Sequence, residues 1–249
     1  MSNERIYIAI PIHGRLKLAE ECVPTVRDTS SLHDDMVALY DDSGGLGGEF
    51  PRSLMAGYVP IVIGEHIGIE RQRRKHFMDF AATSPGEFTH LYLTDADAPH
   101  DPNWRSELLR IQASVGGAPV CGYNTKVHAD MPSNTIFEGG EIIWRRVAPG
   151  ISYLLTREHV EKVVRWLVAN PQVEHWSFDW TVPSLLGNRF AVTKTSYVEH
   201  IGMGGYHHPP DAGWDGGDRA LNPTPAVAKL RAEIVGRLNT DSSGAKRPL

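Results

Sequence analysis

The chain has two cysteines in 249 residues, Cys22 and Cys121. That is too few for a disulfide scaffold or a four-cysteine zinc site, and it leads us to expect a reduced, cytoplasmic setting. No run approaches the roughly 20 apolar residues of a membrane span. The opening Met-Ser-Asn-Glu-Arg has no signal-peptide layout. A basic excess is missing too: 25 Lys and Arg face 30 Asp and Glu, for a formal charge of −5. Gripping nucleic acid mainly through a basic face is thereby disfavoured, although Arg71 to Lys75 and Arg145-Arg146 form local basic clusters. There is no G-x-x-x-x-G-K-S/T phosphate loop. Gly45-Leu46-Gly47-Gly48 does not complete a dinucleotide fingerprint, because Phe50 stands where its last glycine belongs and Pro51 follows.

What is there is an ordinary globular composition, 41% hydrophobic and 22% charged, with 12 histidines. Histidine and carboxylate together suggest metal chemistry, although most histidines in any protein are not ligands. Residues 6–12 are a nearly continuous apolar run, as in a parallel strand buried on both faces. A helical stretch over 16–26 follows, then strands over 36–40 and 58–63, a helix carrying Arg71, Arg73, Arg74 and Lys75, and a strand over 91–93. Asp101-Pro102 reads as the cap and first position of another helix. Such β-α alternation predicts an α/β fold with an open, mostly parallel sheet flanked by helices, in a single domain.

The second half is less regular. Strands are expected over 118–123, 151–155 and 190–198, with a polar, interrupted segment over 124–140. Thr156 caps a helix whose Val160, Val163, Val164 and Leu167 share one face. Another helix opens at Trp176-Ser177-Phe178-Asp179-Trp180. The Gly-, Pro- and His-rich stretch from 204 to 225, with its His207-His208 pair, reads as a long loop before a last helix ending near Leu238.

Open α/β sheets bind ligands beyond the carboxyl ends of their strands, where His13, Asp41, Asp42, Asp95 and Asp97 fall. In Asp95-Ala96-Asp97, residues i and i+2 of an extended segment point the same way, so both carboxylates can face one hard cation and its diphosphate ligand. Asp41-Asp42-Ser43-Gly44 offers carboxylate acceptors for a nucleobase or ribose, with glycine allowing close backbone approach. Each motif alone also reads as a solvated turn.

The order of the pieces is more specific than any one of them. Ile8-Ala9-Ile10-Pro11, Tyr40-Asp41-Asp42-Ser43-Gly44, Gly68-Ile69-Glu70-Arg71-Gln72-Arg73-Arg74, Leu93-Thr94-Asp95-Ala96-Asp97, Phe178-Asp179-Trp180 and Tyr197-Val198-Glu199-His200-Ile201-Gly202 together resemble nucleotide-sugar glycosyltransferases of the GT-A (Rossmann-like) fold, most like family 2. The resemblance covers roughly residues 5 to 205. It implies a GT-A-like domain over 1–238, with a nucleotide-binding half (1–117), an acceptor half (118–205), a mobile loop and C-terminal helix (206–238), and a flexible tail over 239–249.

The resemblance also implies roles. Asp97 would bind Mn²⁺ or Mg²⁺ bridging two phosphates, Asp95 would contact ribose or the metal, and His200 would approach the same ion. Asp42 and Asp41 would hold the base, with Pro11 and His13 lining the nucleotide pocket and Arg71 and Arg74 steadying phosphate or sugar. An inverting transfer needs a base for the acceptor hydroxyl, and Asp179 is the candidate. Trp176, Trp180 and the unassigned acid Glu138 fall on the acceptor side. The implied donor is a nucleoside-diphosphate sugar, UDP-sugar first among them. The acceptor is a glycan, a small molecule or a modified nucleic acid base.

Other classes stay in view. His128-Ala129-Asp130 with His200 matches the bare spacing of a two-histidine-one-carboxylate iron site of a 2-oxoglutarate oxygenase. A sugar nucleotidyltransferase would share the architecture, but Ile12-His13-Gly14-Arg15-Leu16 is not its Gly-rich basic loop. A noncatalytic nucleotide-sugar-binding protein is the third alternative.

Overall fold

The computed structural model describes residues 4–13, 16–27, 35–42, 54, 57–174, 176–202 and 219–244, the last four of these for backbone only. The glycines of 43–48, Phe50, Pro51, Gly14-Arg15, the His207-His208 pair and most of the 204–225 stretch lie outside them.

The strands are β1 (Ile6–Ile12), β2 (Met36–Asp41), β3 (Val59–Val62), β4 (His90–Thr94), β5 (Val120–Cys121), β6 (Thr135–Gly139), β7 (Ile142–Arg145), β8 (Ser152–Thr156) and β9 (Phe190–Thr193). They form one nine-stranded sheet in the order β3-β2-β1-β4-β8-β5-β9-β7-β6. All point the same way except β7 and β8, which run antiparallel to both of their neighbours. β1 pairs in parallel with β2 and β4 and is buried along its length except at Pro11, which explains its unbroken apolar sequence.

The helices are α1 (Leu16–Cys22), α2 (Gly68–Ala82), α3 (Trp104–Ser114), α4 (Lys126–Asp130), α5 (Arg157–Ala169), α6 (Phe178–Leu185) and α7 (Pro225–Gly244). One face of the sheet packs Phe77 and Phe80 of α2, Val160, Val163 and Leu167 of α5, and Phe178 and Val182 of α6. The other packs Ala19 of α1 and Trp104, Leu108 and Ile111 of α3. Ile234 and Leu238 of α7 close over Leu18 and Cys22 of α1 and over Ile201.

Several boundaries differ from expectation, each for a local reason. The first helix ends at Cys22 and tightens into a 3₁₀ turn over Val23–Val26, because Pro24 has no amide proton to continue the α ladder. Asp101 is not the cap of α3. Its Oδ1 accepts the Asn103 amide at 2.8 Å and its Oδ2 accepts the Thr224 hydroxyl at 2.5 Å, and the helix begins at Trp104. The interrupted segment over 124–140 contains α4 and the first strand of the β6–β7 hairpin.

The last strand stops at Thr193. Beyond it, the Ser196 hydroxyl accepts the Asn124 amide at 3.0 Å and donates to the Leu221 carbonyl at 2.9 Å, which draws the chain out of the sheet. The Thr156 cap of α5 holds, its oxygen accepting the His159 amide while His159 Nδ1 bonds back to the Thr156 amide. Thr224 likewise accepts the Val227 amide at the start of α7 at 3.1 Å. That helix runs past Leu238 to Gly244, so 239–244 are not a frayed tail, and 245–249 lie outside the described residues.

Candidate active site

β4 ends at Thr94 and hands the chain to Asp95-Ala96-Asp97. A short antiparallel pairing then decides the geometry. The Ile201 amide donates to the Asp97 carbonyl at 3.1 Å, the Glu199 amide to the Pro99 carbonyl at 3.0 Å, and the Asp101 amide to the Tyr197 carbonyl at 2.8 Å. Residues 197–201 thus run beside 97–101 and lay His200 next to Asp97, with Nε2 at 3.3 Å from Oδ1 and both side chains largely buried. Gly202 completes the turn at φ +40, and a Cβ there would lie 2.5 Å from the His200 ring. Only glycine suits both the backbone and the imidazole.

Asp95, Asp97 and His200 can each bring a ligand atom within 4.8 Å of the others. Two hard carboxylates and one imidazole suit Mn²⁺ and, less well, Mg²⁺, which prefers oxygen alone. The residues present therefore fit a divalent cation.

Arg73 stands beside this cluster. Only 2% exposed, it donates to the Thr94 carbonyl at 3.2 Å, to Asp95 Oδ1 at 2.5 Å and to the Gly150 carbonyl at 3.3 Å. Its guanidinium carbon lies 5.4 Å from the Phe178 ring centre. The adjacent arginines point elsewhere. Arg71 pairs with Glu174 at 2.7 Å on the surface, and Arg74 donates to the Leu167 carbonyl at 2.7 Å at the end of α5. The expectation that Arg71 and Arg74 steady phosphate or sugar is therefore corrected. α2 aims one arginine at the strand ends, and helical rotation makes it Arg73.

Asp179 occupies the first turn of α6. The preceding Ser177 has φ 44 and ψ 68, a left-handed conformation costly for a residue with a Cβ. Glu70 secures it: its Oε1 accepts the Ser177 amide and its carbonyl accepts the Trp176 indole N–H, both at 2.9 Å. Asp179 packs so close to Gly150 that a Cβ at 150 would collide with its Oδ1 and with the Phe178 ring. Burial pushes its carboxyl up to about 7, helped by the charges of Asp95 and Glu70 and opposed by Arg73 and the Gly150 amide. Asp179, Asp95, Arg73, Glu70, Trp180 and Ile69 line one cleft of about 360 Å³.

The aromatic neighbours divide. Trp176 is buried and stacks on Trp166 with ring centres 6.1 Å apart, so it is a core residue and not an acceptor contact. Trp180 is 58% exposed at the cleft. Glu138 is corrected as well: it sits on the edge hairpin, 4.0 Å from Lys194, outside the cleft lining. His128 and Asp130 lie on α4, where His128 turns to Thr125 at 3.1 Å. Among the described residues they do not converge with His200, and the sheet is no jelly roll, so the iron-site alternative is set aside.

At the ends of β1 and β2, Asp42 is fully buried with both oxygens engaged. Oδ1 meets His13 Nδ1 at 2.9 Å, and Oδ2 meets His66 Nδ1 at 3.1 Å and the Ile67 and Gly68 amides at 3.2 and 3.1 Å. The expectation that Asp42 itself holds a base is thus changed: the carboxylate anchors the start of α2 and orients two half-exposed imidazoles, whose ring centres are 4.1 Å apart. A cation among these three would face the positive end of α2, which disfavours it. Asp41 pairs with Ile12 and Val62, and Pro11 with Tyr40, at the same strand ends. His66 and Gly150 were not singled out from sequence, and Glu70 and Arg73 fell within the 68–74 stretch that carries the resemblance without a role of their own.

No family model matches the chain, and no curated protein matches it by sequence. Among solved structures it is similar to S. aureus TarS residues 1–349, at TM-score 0.55 and 11% identity over 78% of this chain and 59% of that one. A longer S. aureus TarS structure gives 0.54 and 10% identity over 78% and 36%. A197 from STIV is 14% identical over 79% and 84% at TM-score 0.44. The chain spans under two thirds of the TarS structures. The likeness to the TarS structures is one of fold, and this chain has the GT-A fold.

Proposed function

We propose that the chain is a glycosyltransferase that moves a sugar from a nucleoside diphosphate to an acceptor hydroxyl with inversion. The observation that carries this reading is one continuous arrangement. Asp97 and His200 stand beside Asp95, Asp95 is held by Arg73, and Arg73 reaches the cleft that contains the desolvated Asp179. On a GT-A fold, that supports a reading in which leaving-group chemistry and base chemistry adjoin.

Asp95, Asp97 and His200 would hold Mn²⁺ or Mg²⁺, which when bound offsets the negative charge of the departing diphosphate. Asp179 takes the proton from the acceptor hydroxyl as that oxygen attacks the anomeric carbon. The bond to the diphosphate oxygen breaks in the same step, and the bonding pair leaves with it. A carboxyl poised at about 7 is well matched to this transfer near neutral pH. Arg73 fixes Asp95 and moderates the charge felt at Asp179. His13 and His66, oriented by Asp42, present their outer edges to the nucleotide. We assign UDP first among the donors, and a cytoplasmic protein; among the described residues no helix is long and apolar enough to cross a membrane.

The test is a thermal-shift panel of UDP, GDP, CMP and dTDP, each with Mn²⁺, Mg²⁺ or EDTA. At least one nucleotide is expected to raise Tm only with the metal, and the matching sugar nucleotide to be slowly hydrolysed. Absence of any metal-dependent shift overturns the reading.

A further inference from the structure

The acceptor side of the cleft has an unusual lining. Trp180 and Ile69, both large and apolar, are 58% and 49% exposed there, although leaving such surface wet forgoes about 25 cal/mol per Å². Around them stand Glu70, Asp95 and Asp179. Among the described residues of the lining the one cation, Arg73, is buried and committed to Asp95 and two main-chain carbonyls. Among the described residues the cleft thus combines an aromatic face and acidic acceptors with no uncommitted Lys or Arg.

From this we infer that the acceptor is a neutral carbohydrate ring that stacks on Trp180, and not a nucleic acid or another phosphate-bearing molecule. The inference rests on the glycosyltransferase reading and names the substrate class of the same site. The C–H face of a pyranose is apolar and weakly positive, which suits the negative face of an indole. Its rim of hydroxyls donates hydrogen bonds, which carboxylates accept. Trp180 and Asp179 line the same cleft, so a ring seated on the indole has the base within that cleft for one of its hydroxyls. Ser177 and Glu70 hold that turn, with the Trp180 amide donating to the Ser177 carbonyl at 2.8 Å, so the platform is fixed relative to the carboxylate. A polynucleotide would bring its phosphates against Glu70 and Asp179 and, among the described lining residues, would meet no Lys or Arg but the committed Arg73, whereas affinity for such chains rests on phosphate neutralisation by Lys and Arg.

The experiment uses the full chain with Mn²⁺ and the sugar nucleotide identified by the hydrolysis assay. A panel of neutral methyl and aryl pyranosides is compared with single- and double-stranded oligonucleotides containing hydroxymethylated bases. Transfer to at least one pyranoside is expected, with Trp180→Ala raising its KM about tenfold while kcat falls less, and Trp180→Phe restoring most of the affinity. Ile69→Ser gives a second, smaller rise in KM should Trp180→Ala fold poorly. The inference is overturned if oligonucleotides are the better acceptors, or if folded Trp180→Ala keeps the wild-type KM. Either result leaves the glycosyltransferase reading standing, whereas loss of metal-dependent nucleotide binding by the wild type defeats that reading itself.

Discussion

The Asp179 carboxylate rests against the main chain of Gly150, close enough that any side chain at 150 would displace its Oδ1 and the Phe178 ring. Gly150 precedes β8, which pairs antiparallel with β4, so the contact ties the base to the strand that leads into Asp95. Gly150→Ala is expected to fold, because Gly150 itself is only partly buried. Transfer should nevertheless fall about 10²-fold or more through misplacement of the base. Circular dichroism with nucleotide-dependent thermal shift checks the fold, and transfer kinetics check the loss. Wild-type kcat in Gly150→Ala would show that Asp179 needs no such placement.

Asp179 also predicts a pH dependence of two kinds. As base it must be ionised, so kcat/KM should rise with pH through about 7, and Asp179→Asn should remove that acid limb with most of the activity. For stability the sign is opposite. The unfolded carboxyl ionises near 3.8 and the folded one, raised mainly by burial, near 7, so between these values the folded state holds the extra proton. Stability from this group is full below about 4 and lost as pH rises through 7. Asp179→Asn should therefore raise Tm at pH 8 by roughly 2–4 °C, equivalent to about 1 kcal/mol, and the gain should vanish near pH 4. A lower Tm at pH 8 would count against a desolvated carboxylate.

The first half of the molecule was readable because its strands are apolar runs ending in acids. Residues 6–12 became β1 residue for residue, and Asp95 and Asp97 emerged at the end of β4 as their placement implied. His200 lies beside Asp97 through a backbone pairing that has no side-chain pattern to announce it. The arginine was misread because three-residue spacing on α2 marks a shared face without saying which face is turned inward. Arg71 and Arg74 go to Glu174 and to the end of α5, and Arg73 goes to the site. Trp176 and Trp180 were equivalent as letters, but the left-handed Ser177 between them sends one into the core and leaves the other exposed. β6 and β7 escaped notice: β6 is exposed along nearly its whole length and shows no buried alternation, and β7 is only four residues long.

Histidines set a separate limit. His76 is fully buried on Tyr40, ring centres 4.2 Å apart, and neither ring nitrogen has a hydrogen-bond partner among the described residues. Burial holds it well below the usual imidazole range, and burial likewise pushes His100 down to about 3 and His128 and His159 down to about 4. The unfolded chain takes up these protons below about 6.5 while the folded chain resists, so stability falls as pH drops from about 6.5 to about 4. His76→Phe should keep the stacking, remove two unsatisfied polar atoms and stabilise by about 1 kcal/mol at pH 7. Its acid-unfolding midpoint should move to lower pH. Urea melts at pH 7 and 5 measure both, and an equal loss of stability at the two values would show that the imidazole is not a burden.

Gly202 offers the cleanest separation of cation binding from catalysis. Its Cβ would press on the His200 ring, and its φ of +40 is unfavourable for any other residue, yet it lies outside the cleft that holds Asp179. Gly202→Ala should therefore turn the imidazole away from Asp97 and weaken Mn²⁺ binding about 10–100-fold, as expected when a ligand loses its orientation. Asp97→Asn should weaken it at least as much by removing a charge that faces the ion. Mn²⁺ titration followed by electron paramagnetic resonance reads both without reference to turnover. In Gly202→Ala, excess Mn²⁺ should recover nucleotide-dependent stabilisation, because the ligand is misdirected and not deleted. In Asp97→Asn recovery should be poor. Unchanged Mn²⁺ affinity in both variants would remove Asp97 and His200 from the metal site, and wild-type affinity in Gly202→Ala alone would leave Asp97 and Asp95 as its ligands without the imidazole.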